Sequence, residues 1–324
     1  MPRSPVRRSS LPIMLASGGL GFMVALILTS SLGTAPAASP SPTASVSASE
    51  TSPPGTPASP ELMVGAGDIA GCDTLADSQT AELIAGTPGV VFTLGDNAPI
   101  GRRHDYEVCY GETWGAELDR TRPVIGDEDY VTNHGQAYFE YFDDRAGANG
   151  YYSFEVGDWH VIVLNSECDE VGGCSPDSAQ GRWLAADLAS HPAECTMALW
   201  HRPLISSAGS PDAAWVRPFW QALYAAGAEL VLNGHFHAYQ RFEPLNPNLE
   251  PDDEHGIREI IAGTGGNQPM QLTGEAAHLE VQDRAFGVLL LRLYPRSYEW
   301  EFVPVRGEEF RDGGRGTCHG PKGG

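Results

Sequence analysis

Asn233-Gly234-His235-Phe236-His237-Ala238-Tyr239-Gln240-Arg241-Phe242 follows directly on Ala228-Glu229-Leu230-Val231-Leu232. The apolar run reads as a buried strand, and the change to Asn-Gly marks its end. Two histidines one residue apart, just past a strand end, can both turn into one cleft if Gly234 lets the backbone bend. Neutral imidazole is the commonest protein ligand for transition metals, so the pair points to a metal site once the chain supplies partners. Without partners, the same two histidines would be ordinary loop residues.

Partners recur in one architectural context. Leu62-Met63-Val64 leads into Gly65-Ala66-Gly67-Asp68, and Val90-Val91-Phe92-Thr93-Leu94 into Gly95-Asp96-Asn97. Arg122-Pro123-Val124-Ile125 leads into Gly126-Asp127-Glu128-Asp129-Tyr130, and Thr196-Met197-Ala198-Leu199-Trp200 into His201-Arg202-Pro203. Each short apolar segment ends in a metal-ligand residue type. In α/β sheets the ligand crevice lies at the carboxyl ends of the strands. Strand ends converging there collect Asp68, Asp96, Asp127, His201, His235 and His237. So many oxygen and nitrogen donors exceed one open site and suit a pair of ions bridged by a carboxylate.

This ordered series resembles the calcineurin-like metallophosphoesterases, and within them the purple acid phosphatase-like branch. The resemblance covers about residues 62 to 318. It implies an α/β fold, a four-layer α/β/β/α sandwich with two mixed sheets, and a dinuclear centre that hydrolyses phosphate esters. By the same resemblance one ion takes Asp68 and His237, the other takes Asp127, His201 and His235, and Asp96 bridges them.

The chain departs from the family pattern at three places. Where relatives read Gly-Asn-His-Asp/Glu, it has Gly126-Asp127-Glu128-Asp129. Asp127 still offers an oxygen, and Glu128 stands in place of the histidine that assists the leaving group. A glutamate serves as general acid only if burial or neighbouring carboxylates raise its pKa. His134 is the substitute candidate. Pro99 occupies the position of the tyrosine that gives the purple branch its colour, and Ala70 that of a histidine ligand found outside that branch. Asn97 is a weak extra donor. Two ions are expected, with Mn²⁺, Zn²⁺, Ca²⁺ and iron all compatible with the donor set. Arg202 is expected to bind the substrate phosphate, with pairing to a carboxylate as the competing reading. Arg241 poses the same choice, and His160 reads as structural.

The N-terminus carries Arg3, Arg7 and Arg8, an apolar run from Leu11 to about Leu32, and Ala35-Pro36-Ala37-Ala38. That pattern makes residues 1–38 a signal peptide, with an uncleaved membrane anchor as the competing reading. Residues 39–60, almost entirely Ser, Pro, Thr, Ala and Gly, read as a disordered linker. The metallophosphoesterase-like domain is expected over 61–318, with 319–324 as a tail. All 42 Asp+Glu follow residue 38 while three of the 20 Lys+Arg precede it, so the chain beyond the leader is more acidic than the overall −22. Such charge disfavours nucleic acid and anionic membrane as partners. A secreted or extracytoplasmic protein acting on small phosphate esters is expected, touching membrane only through an uncleaved N-terminus.

An even count of 6 cysteines in an exported chain reads as disulfides. Cys168 and Cys174 flank Gly172-Gly173 and would close a tight loop, with Cys72–Cys109 and Cys195–Cys318 as the other pairs. Helices are expected over Ser78–Ala85, over Asp177–Ser190, and from Pro218 to Gly227. Strands are expected around Tyr151–Phe154, His160–Leu164, Ile260-Ile261, Gly287–Leu293 and Tyr298–Val305. The alternative to an enzyme is a catalytically impaired relative that keeps the sandwich as a cell-surface binding module. A metallopeptidase is disfavoured because no His-Glu-x-x-His is present.

Overall fold

The computed structural model describes residues 59–69, 71–72, 74–207, 213–272 and 274–321. These fall in one compact unit, Pro54–Gly324. The expected leader, nearly all of the linker, and Ala70 lie outside the described residues. Among the described residues, no helix is long and apolar enough to cross a membrane.

Thirteen strands are formed among these residues. In chain order they are β1 (Glu61–Ala66), β2 (Val90–Thr93), β3 (Thr121–Arg122), β4 (Tyr152–Val156), β5 (Trp159–Val163), β6 (Cys195–Leu199) and β7 (Leu230–Asn233). Then follow β8 (Tyr239–Phe242), β9 (Arg258–Ala262), β10 (Leu279–Asp283), β11 (Gly287–Tyr294), β12 (Ser297–Pro304) and β13 (Gly313–Thr317). One mixed sheet has the order β13-β12-β11-β1-β2-β3, the other β10-β8-β9-β7-β6-β5-β4.

The near-continuous apolar strands make sense once both faces of each sheet are covered. Successive side chains alternate between faces. Met63, Leu289 and Leu291 therefore meet Val161, Met197, Leu230 and Ile260 in a core between the sheets. Their neighbours Val64 and Leu290 face outward onto Ile84 and the aromatic cluster of Tyr106, Tyr138 and Phe142. On the far side, Ile162, Ala198 and Val231 pack against Leu184, Phe219 and Leu223 of the helices Ala179–Ser190 and Arg217–Ala226. Three apolar interfaces in series make four layers, helix–sheet–sheet–helix, as expected.

Local signals place most boundaries. Ser178 Oγ accepts from Gly181 N at 3.0 Å and starts the 179–190 helix two residues later than the pattern suggests. Gly227, with φ 80°, ends the helix opened by Arg217-Pro218. Two corrections are needed. The strand expected through Arg122–Ile125 stops at Arg122, because Pro123 has no N–H to pair; Val124 N donates instead to Thr93 Oγ1 at 3.0 Å. The edge strand β13 was not anticipated, because Gly313-Gly314-Arg315-Gly316-Thr317 has no strand-like composition. Its glycines let it lie directly on Trp300 and Tyr298.

All three disulfides pair as expected, Cys72–Cys109, Cys168–Cys174 and Cys195–Cys318, although spacing argued only for the second. Beside the last, buried Glu229 accepts from His319 N at 2.8 Å and lies 3.0 Å from His319 Nε2. Burial outweighs those contacts and pushes its carboxyl up to about 8. A folded-state pKa raised above the ordinary 4.5 gives stability that is full below about pH 4.5 and lost as pH rises through about 8. Glu229→Gln keeps an acceptor for these backbone groups and removes the titration. Thermal melts should show a smaller fall in Tm from pH 5 to pH 8 for the variant than for the wild type; equal falls would refute the assignment.

Candidate metal centre

Strands β1, β2 and β3 run parallel in one sheet, and β5, β6, β7 and β9 in the other. The loops after β1, β2, β3, β6 and β7 carry the six candidate donors, and backbone bonds tie these loops together. Asp68 N donates to Gly95 O at 3.0 Å, Ile69 N to Asp96 O at 3.0 Å, and Gly234 N to His201 O at 3.1 Å. Gly67 N reaches across to Ala262 O of the second sheet at 2.8 Å.

Asp96, Asp127, His201 and His235 form one group whose ligand atoms all lie within 4.8 Å of one another. His201 Nε2 is 3.0 Å from Asp127 Oδ1 and 3.2 Å from Asp96 Oδ2, and His235 Nδ1 is 3.0 Å from Asp127 Oδ1. Asp68 and His237 make a second pair, with Oδ1 and Nε2 3.3 Å apart. The charges of Asp96 and Asp68 each act on both His201 and His237, so the two groups share one electrostatic field.

The packing leaves this cluster no room for variation. A Cβ at Gly126 would fall 2.1 Å from Asp96 Oδ1, and one at Gly95 would fall 2.3 Å from His201 Nδ1. Asp68, Asp96 and His235 hold left-handed backbone, with φ of 55°, 52° and 69°. Such strain costs about 1–3 kcal/mol per residue and gathers at functional sites.

The donors fit metal ions. Among the described residues, Asp68 Oδ2, Asn97 Oδ1 and Asn233 Oδ1 have no hydrogen-bond partner, and buried Asp68 Oδ1 has His237 Nε2 at 3.3 Å. An ionised carboxylate in that condition is costly unless a cation reaches it. His201 Nδ1 donates to Leu94 O at 2.7 Å and His237 Nδ1 to Gln268 O at 2.7 Å, so each ring turns Nε2 toward the carboxylates. Carbonyl partners of this kind orient metal-binding imidazoles. Without an ion, protons do the work. Burial opposes it, but Asp96 and Asp127 hold His201 well above the ordinary histidine range, and Asp68 raises His237 to about 9. Burial also works against Asp127, yet hydrogen bonds from His201 and His235 keep it well below the usual carboxylate range.

Glu128 is half-buried beside this cluster, and its N donates to Asp96 Oδ1 at 2.9 Å. Burial, then the Asp96 and Asp127 charges, push its carboxyl up. Arg202 is paired: NH2 lies 3.0 Å from Asp127 Oδ2, Nε lies 3.0 Å from Glu167 Oε1, and NH1 donates to His235 Nε2 at 3.1 Å. The expected substitute His134 is 86% exposed and faces Glu170 instead. Arg241 is taken by Asp312 at 2.8 Å and by Glu280, while His160 is held between Glu155 and Asp187.

Asp129 was missed by sequence reasoning. It is fully buried and accepts from Gly126 N at 2.9 Å, Asn97 Nδ2 at 2.9 Å, Asn97 N at 3.0 Å and the Tyr106 hydroxyl. It thereby clamps the loop bearing Asp96 to the loop bearing Asp127. Burial and Asp96 push its pKa up to about 7 against these donors. The signal available was the acid three residues after Gly126 at the start of a helical turn. A cleft of about 590 Å³ opens beside Asp127 and Arg202, walled by Tyr130, Glu167, Glu170 and Trp215. Residues 166–170 and Trp215 line it together with Tyr130 and Val131.

No protein-family model matches the chain. It is 33% identical to Purple acid phosphatase 18 of Arabidopsis thaliana over 165 residues, 48% of this chain and 36% of that protein. The chain spans less than half the length of the curated relatives it matches. In fold it is similar to the purple acid phosphatase PPD1 of yellow lupin seeds, with TM-score 0.63 and 16% identity over 80% of this chain and 54% of that one. It is similar also to GAP50, the anchor in the inner membrane complex of Plasmodium, with TM-score 0.63 and 15% identity over 82% and 90%.

Proposed function

We propose, for a chain that is purple acid phosphatase-like in sequence and has the calcineurin-like metallophosphoesterase fold, that it is an extracytoplasmic hydrolase of phosphate mono- or diesters. The observation that supports this reading is the group of Asp96, Asp127, His201 and His235, with Asp96 buried on strained backbone, together with the Asp68–His237 pair. In this reading Asp68 and His237 would hold one ion and Asp127, His201 and His235 the other, with Asp96 contributing to both. The ions, when bound, supply charge stabilisation at the phosphoryl oxygens and a water of lowered pKa.

The chain's own groups do the rest. Arg202 is fixed by Glu167 at the cleft mouth, where its guanidinium can orient a phosphate once it leaves Asp127. As the water oxygen bonds to phosphorus and the ester P–O bond breaks, the departing alcohol oxygen would take a proton from Glu128, and the proton released by the water would restore it. Burial and the neighbouring carboxylates raise the Glu128 pKa, which favours this role. Pro99 offers no phenol, so the purple ferric chromophore is not part of this reading. Three disulfides support an oxidising compartment, and the acidic balance supports small esters over nucleic acid.

The test is ester hydrolysis by metal-stripped protein resupplied with Mn²⁺, Zn²⁺, Ca²⁺ or iron. Turnover should need metal. Glu128→Gln should lower kcat about a hundredfold and Glu128→His should recover part of it; an unchanged kcat in Glu128→Gln would remove Glu128 from the chemistry. GAP50, named as an anchor and equally similar in fold, favours a second reading: a binding module that has lost turnover. Folded, metal-loaded protein inert on mono- and diesters alike would select it.

A further inference from the structure

The cleft beside the metal centre has an unusual wall for a site that receives phosphate. Among the described residues lining it, Arg202 is the one cation, and it is already engaged by Asp127 and Glu167. Beyond it lie Asp169 and Glu170, both exposed, with Glu170 facing His134. The sequence has a single lysine, Lys322, at its far end. The same cleft is lined by Trp215, 48% exposed, its indole tethered by Nε1 donating to Ser166 O at 3.1 Å. The Cys168–Cys174 disulfide closes the loop that carries Asp169 and Glu170, so wall and indole keep their places.

A polyanionic ester would meet repulsion along this wall. A fixed indole face with carboxylates around it favours the opposite charge, since an alkylammonium group is attracted both by the ring and by the acids. We propose that the cleft receives the alcohol part of the ester and that this part is a cation, making the substrate a phosphate monoester of an ammonium alcohol. Trp215 and Glu170 are then specificity-determining residues. The inference rests on the phosphoesterase reading, and its failure is separable from the failure of that reading.

The experiment compares kcat/KM for phosphocholine with that for 3,3-dimethylbutyl phosphate, which has the same shape without the charge. The metal-loaded full chain should prefer the charged ester about tenfold or more. The ratio should fall toward one in Trp215→Ala and in Asp169→Asn/Glu170→Gln, with circular dichroism reporting that both are folded. Turnover of both esters with a ratio at or below one in the wild type overturns the inference and leaves the phosphoesterase reading standing. If neither ester nor any other is hydrolysed, that reading fails. Saturation transfer from the protein to the N-methyl protons of phosphocholine then decides the cleft. A signal lost in Trp215→Ala retains the cation site, and no signal in the wild type overturns it.

Discussion

Asp96→Ala should reduce metal-dependent ester hydrolysis by on the order of a thousandfold or more, while leaving a folded protein. The expected size follows from the position of the side chain. Asp96 Oδ2 lies 3.2 Å from His201 Nε2, its charge also reaches His237, and in the proposed reading it is the ligand that both ions would share. Removing a group that holds charge directly at the reacting phosphate costs about 10²–10³ in rate, and here both ions would lose a ligand. Stability should respond differently. Asp96 is strained at φ 52° and lies among Asp127, Glu128 and Asp129, whose charges it repels. Alanine relieves that repulsion and gives up the bond from Glu128 N and the contact with His201. The metal-free variant should therefore melt close to metal-free wild type. The gain in Tm that metal confers on wild type should largely disappear, since only binding to the native state produces it. A variant that keeps its turnover, or its metal-induced shift, would show that Asp96 is not the shared ligand.

Asp129→Ala should have the opposite profile, with a large loss of stability that carries the site down with it. Its carboxylate satisfies Gly126 N, Asn97 N, Asn97 Nδ2 and the Tyr106 hydroxyl in a region closed to water. Each buried donor left without a partner costs about 1–3 kcal/mol. The four together amount to a large share of the roughly 5–15 kcal/mol that holds a domain folded. Urea denaturation should show a midpoint lowered by several kcal/mol equivalents, or a protein that does not accumulate folded. Asp129→Asn keeps the volume and one acceptor, so it should fall between the two. Even where it folds, metal affinity should drop, because Asn97 and Gly126 are the neighbours of Asp96 and Asp127. A denaturation midpoint for Asp129→Ala within about 1 kcal/mol of wild type would refute the clamp.

The two residues also differ in how readable they were. Asp96 follows Val90-Val91-Phe92-Thr93-Leu94-Gly95, and a strand ending in Gly-Asp is a local pattern that any sheet of parallel strands will present at its carboxyl edge. The same holds for Asp68, His201, and the His235/His237 pair. Strand end and donor are adjacent in the chain, through a glycine at Asp68, Asp96 and His235 and directly at His201, so short-range rules suffice to line them up. Both faces of the sheets were similarly legible, since runs such as Val288-Leu289-Leu290-Leu291 can be apolar throughout only when each face is covered.

What tertiary structure alone decided depends on distance along the chain. Asp129 owes its importance to Asn97 and Tyr106, more than twenty residues away, and its sequence neighbours make it look like one acid among three. Arg202 looked free to take phosphate until Glu167 and Asp127 closed on it from other loops. Trp215 lies more than forty residues along the chain from Asp169 and Glu170, and only the fold brings the three to one cleft. The edge strand Gly313–Thr317 exists because Trp300 and Tyr298 present flat rings that tolerate only glycine above them. Local pattern determines where a donor sits on its own strand. Which donors are neutralised, clamped or left open is set by partners that only folding brings near.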